Sequence, residues 1–395
     1  MKFMSFDLHT AEAIPERARA EIEAALATGD LFRYHSDNAP VTLLEQEFAE
    51  MMGARYALAV ASCSAALFLS LKALDLPRGS KVLIPGFTFA AVPSSVVHAE
   101  CTPVLVEVGD NYRMDMNDFE EKLTSDIAAV IVSHMRGHTS DMTRIMELAD
   151  HHDIPVIEDA AHSLGTLWDG KKIGTIGKIG CFSFQSYKLL NAGEGGIMIT
   201  DDPDLIARAV IMSGAYEGNW QKHGIDGDVA QKYQNELPLY NTRLSNLSAI
   251  LVRAQLPEVA RRAKDGLRNY ECLASKLNKH PNIQVPAALE PEIRAPDSLQ
   301  FNLLNFSDDE AESLMLTLRQ VGTGLSIFGK QAGNARAFWN WKFLGVPPNL
   351  PLTRDMLMRA CDLRLPARLS LEEVNQIGDT ILDAVDQVKQ KVAAE

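Results

Sequence analysis

The chain has 395 residues, of which 46% are hydrophobic and 23% charged, and its formal net charge is −14. This composition is typical of a folded globular protein, and the length is enough for one large domain and a smaller one. The acidic balance argues against nucleic acid as a partner, because neutralising phosphates requires a basic surface.

The N-terminal segment and the cysteines indicate a cytoplasmic protein. Asp7, Glu12 and Glu16 put acidic side chains where a secretory signal would be basic and apolar. Apolar runs such as 127–132 are far shorter than the ~20 residues that cross a bilayer, so we expect no membrane partner. The five cysteines are scattered and form no CxxC pair, which favours reduced thiols.

The periodicity of the first 157 residues predicts two helices and then an alternation of strands and helices. The two leading helices are predicted over 14–27 and 42–52. Strands are predicted over 56–60, 81–84, 103–106, 127–132 and 154–157, with helices over 65–74, 118–123 and 141–151. Such alternation is typical of βαβ units around a mostly parallel sheet, in which ligands bind beyond the C-terminal ends of the strands.

The second half of the chain has a different texture. Residues 213–240 are polar and show little periodicity, and a loop of that length is usually functional or disordered. Residues 243–277 read as helical with an interruption near Pro257, followed by a strand over 299–306 and helices over 308–321 and 371–388. We therefore predict a large domain at residues 1–245 and a smaller α/β domain at residues 246–395.

Two segments, 156–165 and 180–196, carry the strongest chemical signal. Asp159 ends an apolar strand, and Lys188 follows a later strand and precedes a Gly-rich turn. Pyridoxal phosphate (PLP) needs a lysine amine for its Schiff base and a carboxylate that keeps the pyridine nitrogen protonated. A lysine with a pKa lowered by burial can then move protons between substrate and cofactor carbons. A surface lysine and a strand-end aspartate are the alternative, and the whole context favours the PLP site.

The motifs around this pair occur in a specific order. They are ASCSAAL at 61–67, IPGFTF at 84–89, EDAAH at 158–162, SFQSYK at 183–188, GEGG at 193–196 and LYNTRL at 239–244. Together they resemble the DegT/DnrJ/StrS family of sugar aminotransferases. The resemblance implies the PLP fold-type I architecture, with a large, mostly parallel sheet flanked by helices and a smaller C-terminal α/β domain.

The resemblance also implies catalytic roles. It assigns Lys188 to the Schiff base, Asp159 to the pyridine nitrogen and His162 to the phenolic oxygen side of the cofactor. Family members that dehydrate sugars carry His where Lys188 stands, so the lysine favours amino transfer. The expected reaction moves an amino group from L-glutamate to an aldehyde or keto sugar in a ping-pong cycle.

Further cofactor contacts follow from the same resemblance. The phosphate is expected at Ser183 and at the turn formed by Ser62, Cys63 and Ser64, a strand-to-helix turn with free backbone N–H groups. Phe89 matches the aromatic residue that stacks on the cofactor ring, with a core position as the alternative. Asn241 matches a residue that reaches the phosphate in a neighbouring subunit, which implies a homodimer with shared active sites.

The acceptor is the least defined part of the sequence prediction. Segments 29–35 and 321–330 differ from the usual family pattern, and the overall pattern is similar to members that form 8-amino-3,8-dideoxy-manno-octulosonate, an amino sugar acid of lipopolysaccharide. The candidate cations for an acidic acceptor are Arg33, His35, Arg136, His138 and Lys330, with Arg243 as a further residue that faces the substrate or begins a helix.

Other function classes remain as alternatives. The second candidate acceptor is a nucleotide-linked keto-hexose. A PLP lyase that catalyses β-elimination would be an enzyme with a different reaction. A PLP-fold protein that acts as a sensor or scaffold would not be an enzyme. His134 and His138 have a spacing that binds metal on a helix, but Gly137 interrupts the segment and a strand precedes it, so no metal is expected.

Overall fold

The computed structural model describes residues 6–394. Its strands are short and mostly apolar, and they alternate with helices over the first half of the chain. They are β1 Tyr56–Val60, β2 Lys81–Pro85, β3 Thr102–Val106, β4 Ile127–Ser133, β5 Val156–Asp159, β6 Leu167–Trp168, β7 Lys171–Lys172, β8 Ile179–Ser183, β9 Gly196–Thr200, β10 Ile283–Gln284, β11 Glu292–Ile293, β12 Ser298–Leu303, β13 Ser326–Ile327 and β14 Ala360–Arg364.

The helices fill the connections between these strands. They are α1 Arg17–Thr28, α2 Pro40–Met52, α3 Cys63–Ala73, α4 Ala91–His98, α5 Met116–Lys122, α6 Met142–His151, α7 Pro203–Met212, α8 Gly227–Tyr233, α9 Asn246–Arg253, α10 Val259–Leu277, α11 Asp308–Gln320, α12 Pro351–Arg359 and α13 Leu371–Ala394. Short 3₁₀ helices include Met135–Gly137 and Asn219–His223. Many helices begin at a side-chain cap, as where Ser62 accepts a hydrogen bond from the N–H of Ala65 at the start of α3.

A seven-stranded sheet with the order β1-β9-β8-β5-β4-β2-β3 forms the centre of the large domain. The pairings from β8 to β3 are parallel, whereas β1 and β9 pair antiparallel at one end. The predicted mostly parallel sheet is therefore confirmed. The C-terminal ends of β4, β5 and β8 lie side by side, because Ser133 pairs with Asp159 and Asp159 with Cys181.

Helices cover both faces of this sheet, so its strands are apolar on both sides. In β1, Leu58 and Val60 pack into one core while Ala57 and Ala59 pack into the other. This division follows from the two-residue repeat of a strand, in which neighbouring side chains point to opposite faces. Burial on both faces explains why the segment reads as a continuous apolar run.

The C-terminal part contains a four-stranded sheet with the order β10-β12-β14-β13. Its central strands alternate in character. Leu299 and Phe301 pack into a third core with α10, α11 and α13, whereas Ser298 and Gln300 occupy the opposite face. Both faces are buried, so the polar face must meet other polar groups of the protein.

The predicted elements largely agree with the structure, with ends that shift by a few residues. The segment 213–240, expected to be a functional or disordered loop, contains α8, which begins at a cap formed by Asp226. The division at residue 245 stays a prediction; Ala249 and Val252 of α9, beyond it, pack in a core of the large sheet. Among residues 6–394, no helix is long and apolar enough to cross a membrane.

Candidate active site

Lys188 lies in the turn that follows β8, and its amine points to His162. The distance from Lys188 Nζ to His162 Nε2 is 2.6 Å. The pKa of Lys188 is lowered to about 8, chiefly by burial and also by the nearby positive charge of Arg136, against the opposing effect of Asp297. About a tenth of this amine is therefore uncharged at pH 7, and the uncharged form is the one that acts as nucleophile and base.

His162 is the first neighbour of this amine. Burial lowers the pKa of His162 well below its usual value, and the positive charges of Lys188, Arg136, Arg336 and Arg364 act in the same direction. The imidazole is consequently neutral, and it can accept a hydrogen bond from the lysine. Three guanidinium groups therefore lie near enough to His162 to affect its pKa, and that of Arg136 also affects the pKa of Lys188.

Asp159, at the end of β5, is buried and held by donors from neighbouring strands. Its Oδ2 accepts a hydrogen bond of 2.8 Å from Ser133 Oγ, which in turn accepts one from Thr88 Oγ1. Its Oδ1 accepts from the N–H of Ala161 at 3.2 Å and lies 3.7 Å from the Cys63 thiol. These contacts fix the orientation of the carboxylate at the carboxyl edge of the sheet, where a pyridine nitrogen would need it.

The predicted phosphate site is where strand β9 passes the start of α3. A Cβ atom at Gly196 would lie only 2.4 Å from the backbone N of Cys63, so a side chain there would force the turn away. Gly196 also pairs with Ser183 in the adjacent strand, which brings Ser183 next to the 62–64 turn. Ser64 is exposed at the same helix start. The arrangement offers an anion the free N–H groups of a helix N-terminus together with nearby hydroxyls.

Two exposed aromatic rings lie next to arginines of the site. Phe89 is 47% exposed and Tyr187 is 49% exposed, which is unusual for large apolar rings. The guanidinium carbon of Arg336 lies 5.8 Å from the centre of the Phe89 ring, and that of Arg364 lies 4.7 Å from the Tyr187 ring. Phe89 is therefore not a core residue in this chain, and its ring is available to a ligand.

Asn241 and Arg243 lie in a segment that crosses the phosphate turn. The N–H of Ala61 donates to the carbonyl of Thr242 at 2.7 Å, which joins the segment to the end of β1. Asn241 is exposed, in keeping with a residue that contacts another subunit. Arg243 donates to the carbonyl of Gly214 at 2.9 Å.

Arg136 is the one predicted substrate cation that faces Lys188 and His162. It forms an ion pair with Asp362, which also accepts a hydrogen bond of 2.8 Å from Gln300. Gln300 in turn lies 2.9 Å from Nε2 of His138. Burial lowers the pKa of His138 well below its usual value, so His138 is a neutral part of this network and not a cation for an acidic substrate.

Arg33 is buried in a separate cluster. Its Nη2 lies 2.7 Å from Glu45 Oε2 and 2.7 Å from His223 Nδ1, and the N–H of Ala59 also donates to Glu45. Glu45 balances the charge of Arg33 within the protein, although Nε and Nη1 of Arg33 have no hydrogen-bond partner among the described residues. Arg33 stays a predicted substrate residue, but its contacts in the structure are those of a structural ion pair.

The remaining two predicted cations have acidic partners outside the Lys188 cluster. His35 pairs with Asp30 at 2.9 Å and its side chain is about half exposed. Lys330 pairs with Asp308 at 3.0 Å. Their substrate roles remain predictions without a contact to the site.

Sequence reasoning did not find Arg336, Arg364, Asp362 or Gln300. Gln300, Asp362 and Arg364 belong to the polar face of the small sheet, where Gln300 pairs directly with Asp362. The alternating sequence of β12 signals a strand with one polar face. What that face meets depends on how the small sheet packs, which the alternation does not reveal.

These residues fit PLP. A partly neutral lysine, a fixed buried carboxylate and an anion-binding helix start are the three features that the cofactor requires. When bound, PLP supplies an electron sink for the electrons released at the substrate carbon. Within residues 6–394, no group of three or more His, Cys, Asp or Glu side chains is arranged to hold a metal ion.

Comparisons with known proteins give consistent matches. The family described as "DegT/DnrJ/EryC1/StrS aminotransferase family" matches residues 13–382. A GDP-perosamine synthase of Caulobacter vibrioides is 33% identical over 350 residues, which cover 87% of this chain and 88% of that protein. The spore coat polysaccharide biosynthesis protein SpsC of Bacillus subtilis is 28% identical over 377 residues, 92% of this chain and 93% of its own length.

A solved structure shows the same fold at lower sequence identity. The GDP-4-keto-6-deoxy-D-mannose-3-dehydratase of Escherichia coli, determined with bound hydrated PLP, superposes with a TM-score of 0.83 at 20% identity. The match covers 96% of this chain and all of that one. The large sheet and the smaller C-terminal sheet therefore form the fold of a PLP enzyme of fold type I.

Proposed function

Because the chain belongs to the DegT/DnrJ/EryC1/StrS aminotransferase family and is a PLP-dependent transaminase, we propose that it aminates an acidic sugar. The donor is L-glutamate, and the acceptor is the 8-oxo sugar acid that gives 8-amino-3,8-dideoxy-manno-octulosonate. The observation that carries this proposal is the positive charge at the reacting end of the site. Arg136 lies close enough to Lys188 and His162 to lower the pKa of both.

Three side chains of this chain have different roles in the amino transfer. Lys188 anchors the cofactor and moves a proton to and from the substrate carbon as its neutral amine. Asp159 would present its carboxyl group to the pyridine nitrogen, in an orientation fixed by Ser133 and by the N–H of Ala161. His162, neutral and 2.6 Å from Lys188, orients the lysine amine.

We also propose that the active enzyme is a homodimer with shared sites. Asn241 is exposed next to the phosphate turn of its own subunit, on a segment tied to that turn by the Ala61–Thr242 hydrogen bond. An exposed amide in this position is available to the phosphate in the other subunit. Light scattering of the holoenzyme tests this, with a Asn241→Ala variant that should bind PLP more weakly without loss of the fold.

A nucleotide-linked keto-hexose is the second candidate acceptor. It is favoured by the 33% identity with a GDP-perosamine synthase over most of both chains. That enzyme name refers to a GDP-linked amino sugar, whereas the acidic acceptor is supported by the charge around Lys188.

Parallel assays separate the two acceptors. The holoenzyme is given L-glutamate with the 8-oxo sugar acid, a GDP-linked keto-hexose or a UDP-linked keto-hexose, and formation of 2-oxoglutarate is measured. We expect turnover with the sugar acid. Turnover confined to the nucleotide sugars would reject the acidic acceptor, and the Lys188→Ala variant provides the baseline.

A further inference from the structure

We propose that Arg136, Arg336 and Arg364 form one subsite that binds a substrate carboxylate beside Lys188. The proposal rests on the proposed function, since it assigns residues that recognise the acid group of a substrate of that reaction. Two of the three arginines lie in the C-terminal third of the chain, outside the motifs of the cofactor site.

The three side chains come from separate parts of the fold, and each lies near enough to His162 for its charge to lower the pKa of that imidazole. Arg136 belongs to the 3₁₀ helix after β4 and has a φ of 58°, in the left-handed region that few residues other than glycine adopt. Arg364 is the last residue of β14, and Arg336 lies in the loop between β13 and α12. Strained backbone at Arg136 is retained where the side chain must point in one direction.

Each of these arginines has donor capacity that the protein does not use. The Nε atoms of Arg136, Arg336 and Arg364 are all buried, and none has a hydrogen-bond partner among the described residues. A guanidinium carries five N–H donors in a planar fork, and buried donors without partners are costly. The Nε–H and a neighbouring Nη–H together match the two oxygens of a carboxylate.

The charge balance of the cluster favours an anion. Asp362 pairs with Arg136, but Arg336 has no ion pair of its own in the described part of the chain. Burial lowers the pKa of Arg336 to about 10, and the positive charge of Arg136 contributes to this. The guanidinium groups therefore repel one another in a partly desolvated site, and a bound anion would relieve that repulsion.

The cofactor phosphate has its own donors at the start of α3 and at Ser183, so the arginines are left for the substrates. Both substrates of the proposed reaction contain carboxylates, the donor L-glutamate and the acceptor sugar acid. The exposed rings of Phe89 and Tyr187, next to Arg336 and Arg364, offer flat apolar surface to the carbon skeleton of either one.

The two half-reactions distinguish the sources of the carboxylate. We compare the wild type with Arg336→Gln, Arg364→Gln and the charge-retaining Arg336→Lys, each as holoenzyme. The donor half is followed by the loss of cofactor absorbance with L-glutamate. The acceptor half is followed with the 8-oxo sugar acid and with its neutral carboxamide.

We expect each glutamine variant to lose about 10- to 100-fold in kcat/KM in the half-reaction that uses the subsite, mainly through KM. A loss with the sugar acid but not with its carboxamide assigns the subsite to the acceptor, and a loss with L-glutamate assigns it to the donor. Arg336→Lys should recover part of the loss. Unchanged constants in both halves, or equal losses with acid and carboxamide, would overturn the proposal.

Arg208 provides a matched control. Its side chain is half-buried, and its guanidinium carbon lies 5.0 Å from the centre of the Tyr233 ring. Unlike Arg336, it forms an ion pair, with Asp75, and neither partner belongs to the Lys188 site. Arg208→Gln should therefore change neither half-reaction by more than about twofold.

A binding measurement keeps this inference separate from the proposed function. Calorimetric titration of the holoenzyme with glutarate, a dicarboxylate without an amine, requires no turnover. Binding by the wild type that is lost in Arg336→Gln supports the subsite even where no sugar is aminated. Wild-type turnover of the sugar acid, together with unaltered glutarate binding in the variant and equal effects of the variant on the acid and its carboxamide, rejects the subsite and leaves the proposed function standing.

Discussion

Two groups of buried or half-buried arginines in this molecule differ in how their charge is met. Arg33 has Glu45 and His223 within hydrogen-bond distance, and all three side chains are buried together. Among the described residues Arg336 forms no ion pair, and its buried Nε lacks a hydrogen-bond partner, as do Nε and Nη1 of Arg33, so the two groups differ in whether a carboxylate is paired with the guanidinium. The first group resembles a closed structural contact, and the second an open binding site.

Charge balance, and not residue type, separates structural from functional arginines in this chain. A buried ion pair with both partners present is compatible with a stable fold. Removing one partner lowers the free energy of unfolding, because the other charge is then buried without compensation. A cation without its partner lowers stability and is retained where a ligand supplies the missing charge.

The largest expected effect is on activity and not on stability. Lys188→Ala removes the amine that anchors the cofactor and transfers the proton, so the transamination rate should fall by about 10⁴-fold or more. Unfolding by urea should be no easier, because the partly buried ammonium that the variant lacks is itself unfavourable. The unfolding midpoint is measured on the cofactor-free protein, and the transamination rate on the same preparation after PLP is added.

The opposite pattern is expected at Glu45. Glu45→Ala leaves the Arg33 guanidinium buried without its carboxylate, which should lower the free energy of unfolding by ~3–5 kcal/mol. The folded fraction should keep its activity within a few fold. Glu47→Ala is the matched control, because Glu47 pairs with Arg253 at a 41% exposed position and should cost below ~1 kcal/mol. Equal costs at both positions would remove the basis of the comparison.

The sequence predicted one of these regions far better than the other. Asp159, His162 and Lys188 stand in short motifs next to apolar strands, so local pattern and the order of the strands suffice to place them at one edge of the sheet. Arg336 and Arg364 have no such neighbours in sequence. Arg364 joins the site because the polar face of β12 and β14 packs against the 3₁₀ helix Met135–Gly137, and Arg336 because its loop lies beside Phe89; both are tertiary effects.

The same limit explains why the sequence predicted Arg33, as well as Arg136, to be a substrate residue. Arg33 and Arg136 have equal charge and are both candidate cations for an acidic acceptor, so sequence alone could not rank them. Glu45 lies twelve residues after Arg33 on α2, and its burial beside Arg33 depends on the contact of α2 with β1. The partner of a buried charge is thus a feature that can be identified only from the structure.

The pH dependence of cofactor capture gives a smaller effect. Capture of PLP by the cofactor-free protein needs the neutral amine of Lys188, whose pKa is lowered to about 8. The rate should rise about tenfold per pH unit below 8 and level off above it, since the amine is then uncharged. A rise that continues to pH 10 would mean that the lysine is not desolvated in the way described.

Asp297 offers a variant that shifts this profile. Its negative charge raises the pKa of Lys188 against the effect of burial. Asp297→Asn should therefore move the midpoint of the capture profile to lower pH and leave the plateau rate unchanged. A midpoint that moves to higher pH would contradict the assigned sign.

The smallest expected effect is a change in stability, and its sign should differ between Arg336 and Arg33. Arg336→Gln removes a guanidinium that repels Arg136 and has no anion in the cofactor-free protein, so the free energy of unfolding should rise, by ~0.5–1 kcal/mol. Arg33→Gln should have the opposite sign, because Glu45 then stays buried without its cation. Urea unfolding of both variants at pH 7 measures the two signs. A loss of stability in Arg336→Gln comparable to that in Arg33→Gln would show that both arginines are structural, and the reason to assign Arg336 to a ligand would disappear.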